Sequence, residues 1–371
     1  MQIGQQQFRW GRTITYAGAF IAFLIGSGFA TGQEVIQYFS SYGYLGLLGV
    51  LLVFVMFLYV GIEFVLAGYN NRFHKGSEIF KYYCGNIVGS LYDYFAVAFI
   101  FMSFVVMIGG ASAAMNQQYG LHLAVGGVGM GVISGLTVIF GLARLIQVIG
   151  KIGPVIVVAT ILLGISAILM NPEGLGEASA DIPQMDLLRA SSNWFFAALS
   201  YVGFCMLWLA GFMASLGAAS DSRKESIWGA VLGALGFSLA LAVIALGIMA
   251  NIELLAGSQV PNLLLASTIH PLLGTLFALT VVAGIYTTAV PLLWQVVARF
   301  TEERTLNFRI LTVVLAAVGT FVGILVPFDK LVNIIYVING YVGILLIGFM
   351  VVKTVRVRLL DREKTAPTSV R

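Results

Sequence analysis

The chain has 371 residues, of which 59% are hydrophobic and only 10% charged, and its mean hydropathy is +0.96. A soluble domain of this length could not bury so much apolar surface, so the composition excludes an ordinary soluble protein and indicates a lipid bilayer as the solvent. The net charge of +4 reflects where basic residues lie relative to the membrane, and we therefore predict no nucleic-acid partner.

Ten apolar stretches are long enough to cross the hydrocarbon core, which takes about 20 helical residues. We therefore predict an all-α membrane protein with ten transmembrane helices. The predicted helices cover residues 12–39, 43–69, 88–117, 122–143, 145–170, 191–218, 225–250, 267–299, 308–326 and 331–355.

The distribution of Lys and Arg predicts the orientation. If the N-terminus is cytoplasmic, every Lys and Arg except Arg189 and Lys330 falls in a cytoplasmic loop or end. Short loops that carry these residues stay on the cytoplasmic side. We therefore expect a multi-pass protein of the cell (inner) membrane with both termini cytoplasmic, which requires an even number of helices.

The ten predicted helices divide into two halves of five. Five is odd, so the second half would be inverted relative to the first, an arrangement found in many secondary transporters. Their substrate site lies where interrupted helices of the two repeats meet near the middle of the membrane. The predicted organisation is a first inverted repeat at 1–171 (helices 1 to 5), an acidic extracellular loop at 172–190, a second inverted repeat at 191–357 (helices 6 to 10) and a cytoplasmic tail at 358–371.

The first predicted helix contains the run IGSGFATGQE, in which three glycines and two hydroxyl residues lie between Gly26 and Gly32. Each glycine costs about 1 kcal/mol relative to alanine in a helix, so we predict a break here. The N–H groups exposed at a break favour an anionic group such as a carboxylate. Close helix packing is the alternative role for the glycines. The predicted substrate-binding residues of this run are Gly26, Ser27, Gly28, Phe29 and Thr31.

The sixth predicted helix carries Ser200 and Gly203 at the same depth as the first-helix run, and we predict a second break there. Carbonyls freed by this break would face a cation, either an ammonium group or Na+. Close packing is again the alternative role for the glycine. The predicted substrate site is completed by Ser200, Tyr201, Gly203 and Phe204 and by Tyr286 of the eighth helix.

The eighth predicted helix has adjacent hydroxyl groups at Thr287 and Thr288. With first-helix carbonyls at Ala22, Phe23 and Ile25 they would supply the several oxygen ligands that a hard cation prefers. We therefore predict a Na+ site, held above all by Ala22, Ile25, Thr287 and Thr288. Hydrogen bonds from the threonines to carbonyls four residues earlier are the alternative. No further cofactor is predicted.

Four polar residues are predicted to act in coupling or gating, because ionisable and polar groups inside a membrane are functional candidates. Glu34 follows the first-helix run and could meet a cationic solute, take a proton or hydrogen-bond the sixth-helix break; capping of the outer half-helix is the alternative. Lys151 could serve proton coupling, and a lysine that snorkels to the membrane boundary is the alternative. The four residues are Gln33, Glu34, Glu63 and Lys151.

The run IGSGFATGQE resembles the IGSG signature of the amino acid-polyamine-organocation (APC) superfamily, and the inverted repeat of ten helices is similar to the LeuT-type fold. Within this superfamily the chain most resembles the YkvI-like group of bacterial membrane proteins. The resemblance implies that the first-helix backbone at Ser27, Gly28 and Phe29 binds a substrate carboxylate, and that carbonyls of both breaks bind its amino group.

The resemblance also implies roles for Ser200, Tyr201 and Gly203 in the sixth helix, whose SYVGF run is similar to the superfamily's aromatic-x-Gly-aromatic break. One departure concerns Cys205, since many members place an acidic residue there. A hydroxyl pair on the eighth helix resembles that of sodium-coupled members.

These features predict a secondary active transporter: an ion-coupled symporter, with Na+ favoured, of an amino acid or related small amine-bearing solute, working by alternating access. A proton-coupled transporter or exchanger is one alternative. From other classes, a divalent-metal carrier is suggested by Cys205 and Met206, and a non-transporting membrane sensor stays open. The sequence has no HExxH motif and no paired intramembrane Asp, so we predict no enzyme. The expected partners are the solute, Na+ or H+, and the lipid bilayer.

Overall fold

The computed structural model describes residues 8–140 and 145–365, and within these ranges the side chains of residues 145–154, 179 and 357–365 are not described. The described chain is helical and contains no β-strand. A helix pairs its own backbone groups and can therefore cross hydrocarbon, where no water is present to pair them. The prediction of an all-α membrane fold is confirmed.

The first membrane segment consists of three short helices instead of one. α1 spans Trp10–Leu24, α2 spans Ser27–Thr31 and α3 spans Gln33–Tyr38. A 3₁₀ turn at Ser40–Tyr42 follows. The other helices of the first half are α4 at Tyr44–Asn71, α5 at Glu78–Tyr119, α6 at Leu123–Phe140 and α7 at Leu145–Met170.

The stretch predicted as an acidic extracellular loop is largely helical. It contains α8 at Pro172–Asp181 and a 3₁₀ turn at Ile182–Gln184. The Asn171 side chain accepts a hydrogen bond from the Gly174 N–H and so caps α8, as asparagine commonly does at a helix start.

The second half begins with α9 and ends with a helix that contains a π turn. A π turn is a rare form of helix and is often found at functional sites. The elements are α9 at Trp194–Ala219, α10 at Arg223–Ala250, α11 at Ile252–Leu255, α12 at Pro261–Ile269, α13 at Pro271–Phe300, α14 at Leu306–Leu325, α15 at Phe328–Leu331, the π turn at Val332–Tyr336 and α16 at Val337–Thr365.

Eight helices of the described chain are long and apolar enough to cross a membrane, and α7 with α8, bent by 85°, would make a ninth. The first segment is interrupted and is not among them. The predicted count of ten therefore stays a prediction, as do the boundaries of the two inverted repeats.

Four helices pack together: α1 packs on α10, and α4 packs on both α9 and α10. A β-carbon at Gly68 would clash with the carbonyl of Ala214, and one at Gly217 with the carbonyl of Val65. Glycines therefore let α4 and α9 approach closely, as small residues do in membranes. The short helix α2 contacts α5, α12 and α13, while α3 contacts α9, α10 and the π turn.

The two ends of the protein are named here by the predicted orientation. The inner end carries the loops at residues 72–77, 220–222 and 301–305, and the outer end carries residues 172–190 and 251–270. At the inner end Arg12 lies 2.7 Å from Asp221 and hydrogen-bonds to it, which lowers the pKa of the Asp221 carboxyl below its ordinary value.

Candidate functional site

The first segment breaks between Ile25 and Gly26. Both residues have extended backbone, with φ −84° and ψ 97° at Ile25 and φ −101° and ψ −172° at Gly26. The Gly26 N–H donates to the Leu24 carbonyl over 3.1 Å, and not to a carbonyl one full turn back. The last carbonyls of α1 and the first N–H groups of α2 therefore lack helical partners. The predicted break in the first helix is confirmed.

A second interruption occurs at Gly32, whose positive φ of 86° is a conformation that glycine adopts without strain. Asn262 of α12 fills the space beside it, and its Nδ2 donates to the carbonyls of Phe29 at 3.3 Å and Ala30 at 3.2 Å. Sequence reasoning missed Asn262. Its one local signal is an amide directly after Pro261 in an apolar run, and nothing in the sequence relates that position to residue 32.

The break opens onto a cavity of about 140 Å³. Its wall combines α1, α5, α9 and α13, and it includes several residues predicted for the substrate and the ion. The lining residues are Ala22, Phe23, Gly26, Ile100, Trp208, Thr287, Thr288, Pro291, Leu292 and Gln295.

A wider vestibule of about 550 Å³ shares Phe23, Ile100, Trp208 and Gln295 with this cavity. The vestibule is also lined by Lys75 and Arg299 at the inner end, and Arg299 pairs with Asp93 at 2.8 Å. The break is therefore reached from the inner end of the protein.

The two threonines of α13 stand beside the break. The Thr288 hydroxyl lies 3.5 Å from the Ile25 carbonyl and 3.1 Å from the Gly284 carbonyl, and the Thr287 hydroxyl lies 2.9 Å from Gly284. Both threonines thus bond back to their own helix, which was the alternative interpretation. Thr288 also reaches the broken segment. The structure therefore brings together Ala22, Ile25, Thr287 and Thr288, the four residues predicted to hold Na+.

Glu34 lies on the outer side of the break and is only 1% exposed. Its Oε2 accepts a hydrogen bond from the Tyr201 hydroxyl of α9 at 3.3 Å, and the Phe29 backbone N–H at the start of α2 also faces the carboxyl. A β-carbon at Gly28 would clash with this carboxyl. The lack of a side chain at Gly28 therefore leaves room for the Glu34 carboxyl. The predicted contact of Gly28 with a substrate carboxylate is not supported in this conformation.

A layer of aromatic rings closes the outer side above the cavity. The Tyr201 ring lies 5.4 Å from that of Tyr38 and 5.0 Å from that of Phe204, while Phe204 stacks on Tyr336 at 4.6 Å. All four rings are fully buried. Tyr201 and Phe204, which were predicted to line the substrate site, belong to this layer and do not line the cavity.

The predicted break in the sixth helix is wrong, because α9 runs without interruption from Trp194 to Ala219. A β-carbon at Gly203 would clash with the Gly340 carbonyl, and one at Gly340 with the Ser200 carbonyl. The small residues bring α9 and α16 into contact, which was the alternative interpretation. The Ser200 hydroxyl donates within its own helix, to Ala197 at 3.0 Å, and the uninterrupted α9 has no break at which carbonyls would be freed for a cation.

The prediction for Tyr286 is also wrong. Its hydroxyl lies 2.8 Å from that of Thr137 on α6, on a face of α13 that does not line the cavity. The Phe29 ring packs on Phe237 of α10 at 5.1 Å, so only its backbone lies at the break. Thr31 hydrogen-bonds to the Gly28 carbonyl at 3.1 Å, and the Ser27 side chain is buried beside Tyr336.

The remaining coupling candidates are separated from one another. Gln33 lines an outer pocket of about 300 Å³. Glu63 accepts hydrogen bonds from Tyr83 at 3.3 Å and Thr354 at 3.2 Å, and so connects α4, α5 and α16 away from the break. Lys151 belongs to α7, but its side chain lies outside the described residues.

Comparisons with known proteins identify the fold. No family model matches the chain. The chain is 22% identical over 352 residues to a protein of Bacillus subtilis (strain 168) described as uncharacterized membrane protein YkvI, and the match covers 92% of this chain and 96% of the relative.

Three solved structures share its architecture at sequence identities that support the fold alone. MhsT in complex with L-phenylalanine matches with a TM-score of 0.57 and 18% identity, covering 92% of this chain and 88% of its own. Inward-facing Mhp1 matches with a TM-score of 0.60 and 15% identity over 90% and 73% of the two chains. A mutant of the Eremococcus coleocola manganese transporter matches with a TM-score of 0.60 and 13% identity over 92% and 78%.

The fold and the interrupted first segment define a membrane protein of the LeuT fold. These solved structures are transporters and not enzymes, in agreement with the prediction. The chain is homologous to YkvI.

Proposed function

We propose that the chain is a secondary active transporter, an ion-coupled symporter of an amino acid or related small amine-bearing solute that works by alternating access. One observation carries the proposal. The break at Ile25 and Gly26 opens onto a cavity that is reached from the inner end, while an aromatic layer closes the outer side. A site open to one side only is what alternating access requires. We place the protein in the cell (inner) membrane with both termini cytoplasmic.

The cavity suits a small solute with an amine. Its wall is mostly apolar and includes the Trp208 indole, the Phe23 ring and the Gln295 amide. Aromatic faces attract ammonium groups, and carbonyls that lack helical partners at the end of α1 can accept their hydrogen bonds. The L-phenylalanine bound by MhsT supports an amino acid as one solute class.

Na+ is the coupling ion that we propose. Ala22, Thr287 and Thr288 line the cavity, and the Ile25 carbonyl lies 3.5 Å from the Thr288 hydroxyl. The carbonyls of Ala22 and Ile25 and the two hydroxyls are oxygen ligands of the kind that hard cations prefer. Binding of Na+ would connect the end of α1 to α13, so the affinity for Na+ would depend on the conformation of the break.

Proton coupling is the alternative within the same class. A divalent-metal carrier is favoured by one observation, the shared fold with a manganese transporter. Among the residues that the structure describes, however, no group of three or more His, Cys, Asp or Glu side chains could hold a metal ion. A non-transporting sensor would bind the same solutes without flux.

The test has two steps. A thermal-shift screen of amino acids, amines and nucleobases, with and without Na+, identifies solutes that stabilise the protein, since a bound ligand raises stability by mass action. Uptake of each hit into proteoliposomes is then measured with an inward Na+ gradient and with Na+ replaced by choline. We expect uptake that depends on the Na+ gradient. Binding without flux would contradict transport, and flux that ignores Na+ would contradict sodium coupling.

A further inference from the structure

Glu34 is a buried acidic residue that lies outside the proposed Na+ site. We propose that its carboxyl binds a proton when the outer side of the protein closes, so that the external pH sets how often that side is open. This inference rests on the proposed alternating access and deepens it by adding a proton-binding site. The proton comes from water at the outer surface and returns there when the carboxyl is exposed again.

Among the side chains that the structure describes, none that faces Glu34 is basic. The titratable groups that face it are Tyr38 on its own helix, Tyr201 and Cys205 on α9, and Tyr336 in the π turn. In residues 8–140, 155–178 and 180–356, whose side chains are described, no Lys, Arg or His pairs with this carboxyl. An ionised carboxylate in a dry interior is costly without a cation, whereas the neutral acid is not.

The hydrogen bonds around the carboxyl do not replace a cation. The Tyr201 hydroxyl donates to Oε2, and the Phe29 backbone N–H faces the carboxyl from the start of α2. Both donors are uncharged, so they offset only part of the cost of an ionised carboxylate in this dry interior. Burial away from any described cation therefore favours the neutral acid in the closed form.

The position of Glu34 couples its protonation to the opening and closing of the outer side. The Tyr201 bond joins α3 to α9, and the layer of Tyr38, Tyr201, Phe204 and Tyr336 lies over the break. Opening of the outer side has to part this layer, which would let water reach the carboxyl. Closing returns it to the dry interior and therefore favours uptake of a proton.

The inner cavity does not supply this proton. Glu34 is absent from the residues that line the cavity and the vestibule, although the cavity reaches Gly26. In the present conformation the carboxyl is shut off from both described spaces. Proton exchange therefore belongs to the opening of the outer side, and external acid favours the closed form.

The native Cys205 reports on this opening, because it is fully buried beside Tyr201 and Glu34. The full-length protein in a Cys84→Ser background is labelled in intact cells with a membrane-impermeant maleimide, without added solute, at an external pH of about 5.5 and about 8.5. The variants are Glu34→Gln, Glu34→Asp and, as a matched control, Glu253→Gln, which removes an exposed acid at the outer end.

Thiol reactivity itself rises with pH because the thiolate reacts, so each rate is divided by that of Glu34→Gln at the same pH. We expect the wild-type ratio to rise with pH, by up to about tenfold per unit while Glu34 titrates. Glu253→Gln should behave as wild type, and Glu34→Gln should be labelled slowly at both pH values.

Two results would overturn the proposal: a ratio that does not change with pH, or a Glu34→Gln protein that is labelled as fast as wild type at high pH. If Glu34→Gln does not fold, the proposal is tested with Glu34→Asp instead. The labelling rate of Cys205 in folded Glu34→Asp is then divided by its labelling rate in the unfolded protein at the same pH. A ratio for Glu34→Asp that still rises with pH supports proton binding, and a ratio that stays constant contradicts the proposal. None of these readouts requires solute flux, so failure here is distinct from failure of the transport assay.

Discussion

The first segment and α9 are the two regions whose comparison is most instructive. Both carry a glycine and a serine at similar depth, and both were predicted to break. The first segment is interrupted at Gly26 and again at Gly32, whereas α9 is continuous across Gly203. Glycine content alone therefore does not determine a break. The two regions differ in their neighbours. Beside the first segment, neighbouring helices supply hydrogen-bond partners for the freed backbone, whereas beside α9 the neighbouring helix packs closely against the glycine.

The partners can be named in each case. At the first segment, Asn262 and Thr288 reach the carbonyls of residues 25, 29 and 30. At α9, the Gly340 carbonyl occupies the space beside Gly203. A polar partner permits an interrupted helix within the membrane, and a packed glycine surface favours an intact one.

The largest effect is expected for Gly32→Ala. The residue has φ 86°, and a β-carbon would lie 2.5 Å from Asn262 Oδ1. Left-handed strain and the clash together should cost about 3 kcal/mol of stability. The measurement is denaturant unfolding in detergent. Gly18→Ala in α1, where nothing lies within 4 Å, is the control and should be neutral or stabilising by up to about 1 kcal/mol. Equal stabilities of the two variants would contradict an obligatory interruption at Gly32.

A smaller loss is expected for Gly203→Ala, since its β-carbon meets the backbone of α16. We expect destabilisation by about 2 kcal/mol, with solute and Na+ affinities preserved once the protein is folded. Thermal unfolding with and without ligand separates the two effects. If the variant were fully stable yet had lost ligand binding, α9 would be a binding segment and the contrast with the first segment would fail.

The smallest of the three effects concerns Thr288→Val, which keeps the shape of the side chain and removes the hydroxyl near Ile25. We expect the apparent Na+ affinity to fall about tenfold, read as a shift in the Na+ dependence of thermal stability. Thr280→Val on the same helix is the matched control, because Thr280 makes the same backward hydrogen bond, to Leu276 at 2.9 Å, away from the break. An equal shift in both variants would count against a Na+ site at Thr288.

The sequence predicted those parts of the site that depend on residues close together in the chain. The interruption at Gly26 follows from three glycines close together, and the threonine pair follows from two hydroxyls in an apolar helix. Tyr286, adjacent to that pair, was misplaced because a turn of 100° per residue directs it to Thr137. Asn262 escaped notice because its partners lie more than 200 residues away.

The sequence by itself determined the membrane as solvent, the all-helical fold and the interruption of the first segment, because apolar length and glycine density act locally along a helix. Tertiary structure alone decided that α9 stays intact, that Glu34 is buried against Tyr201, and that the cavity opens to the inner end. These outcomes depend on which distant backbone or side chain occupies the space beside each residue, and one-dimensional spacing does not contain that information.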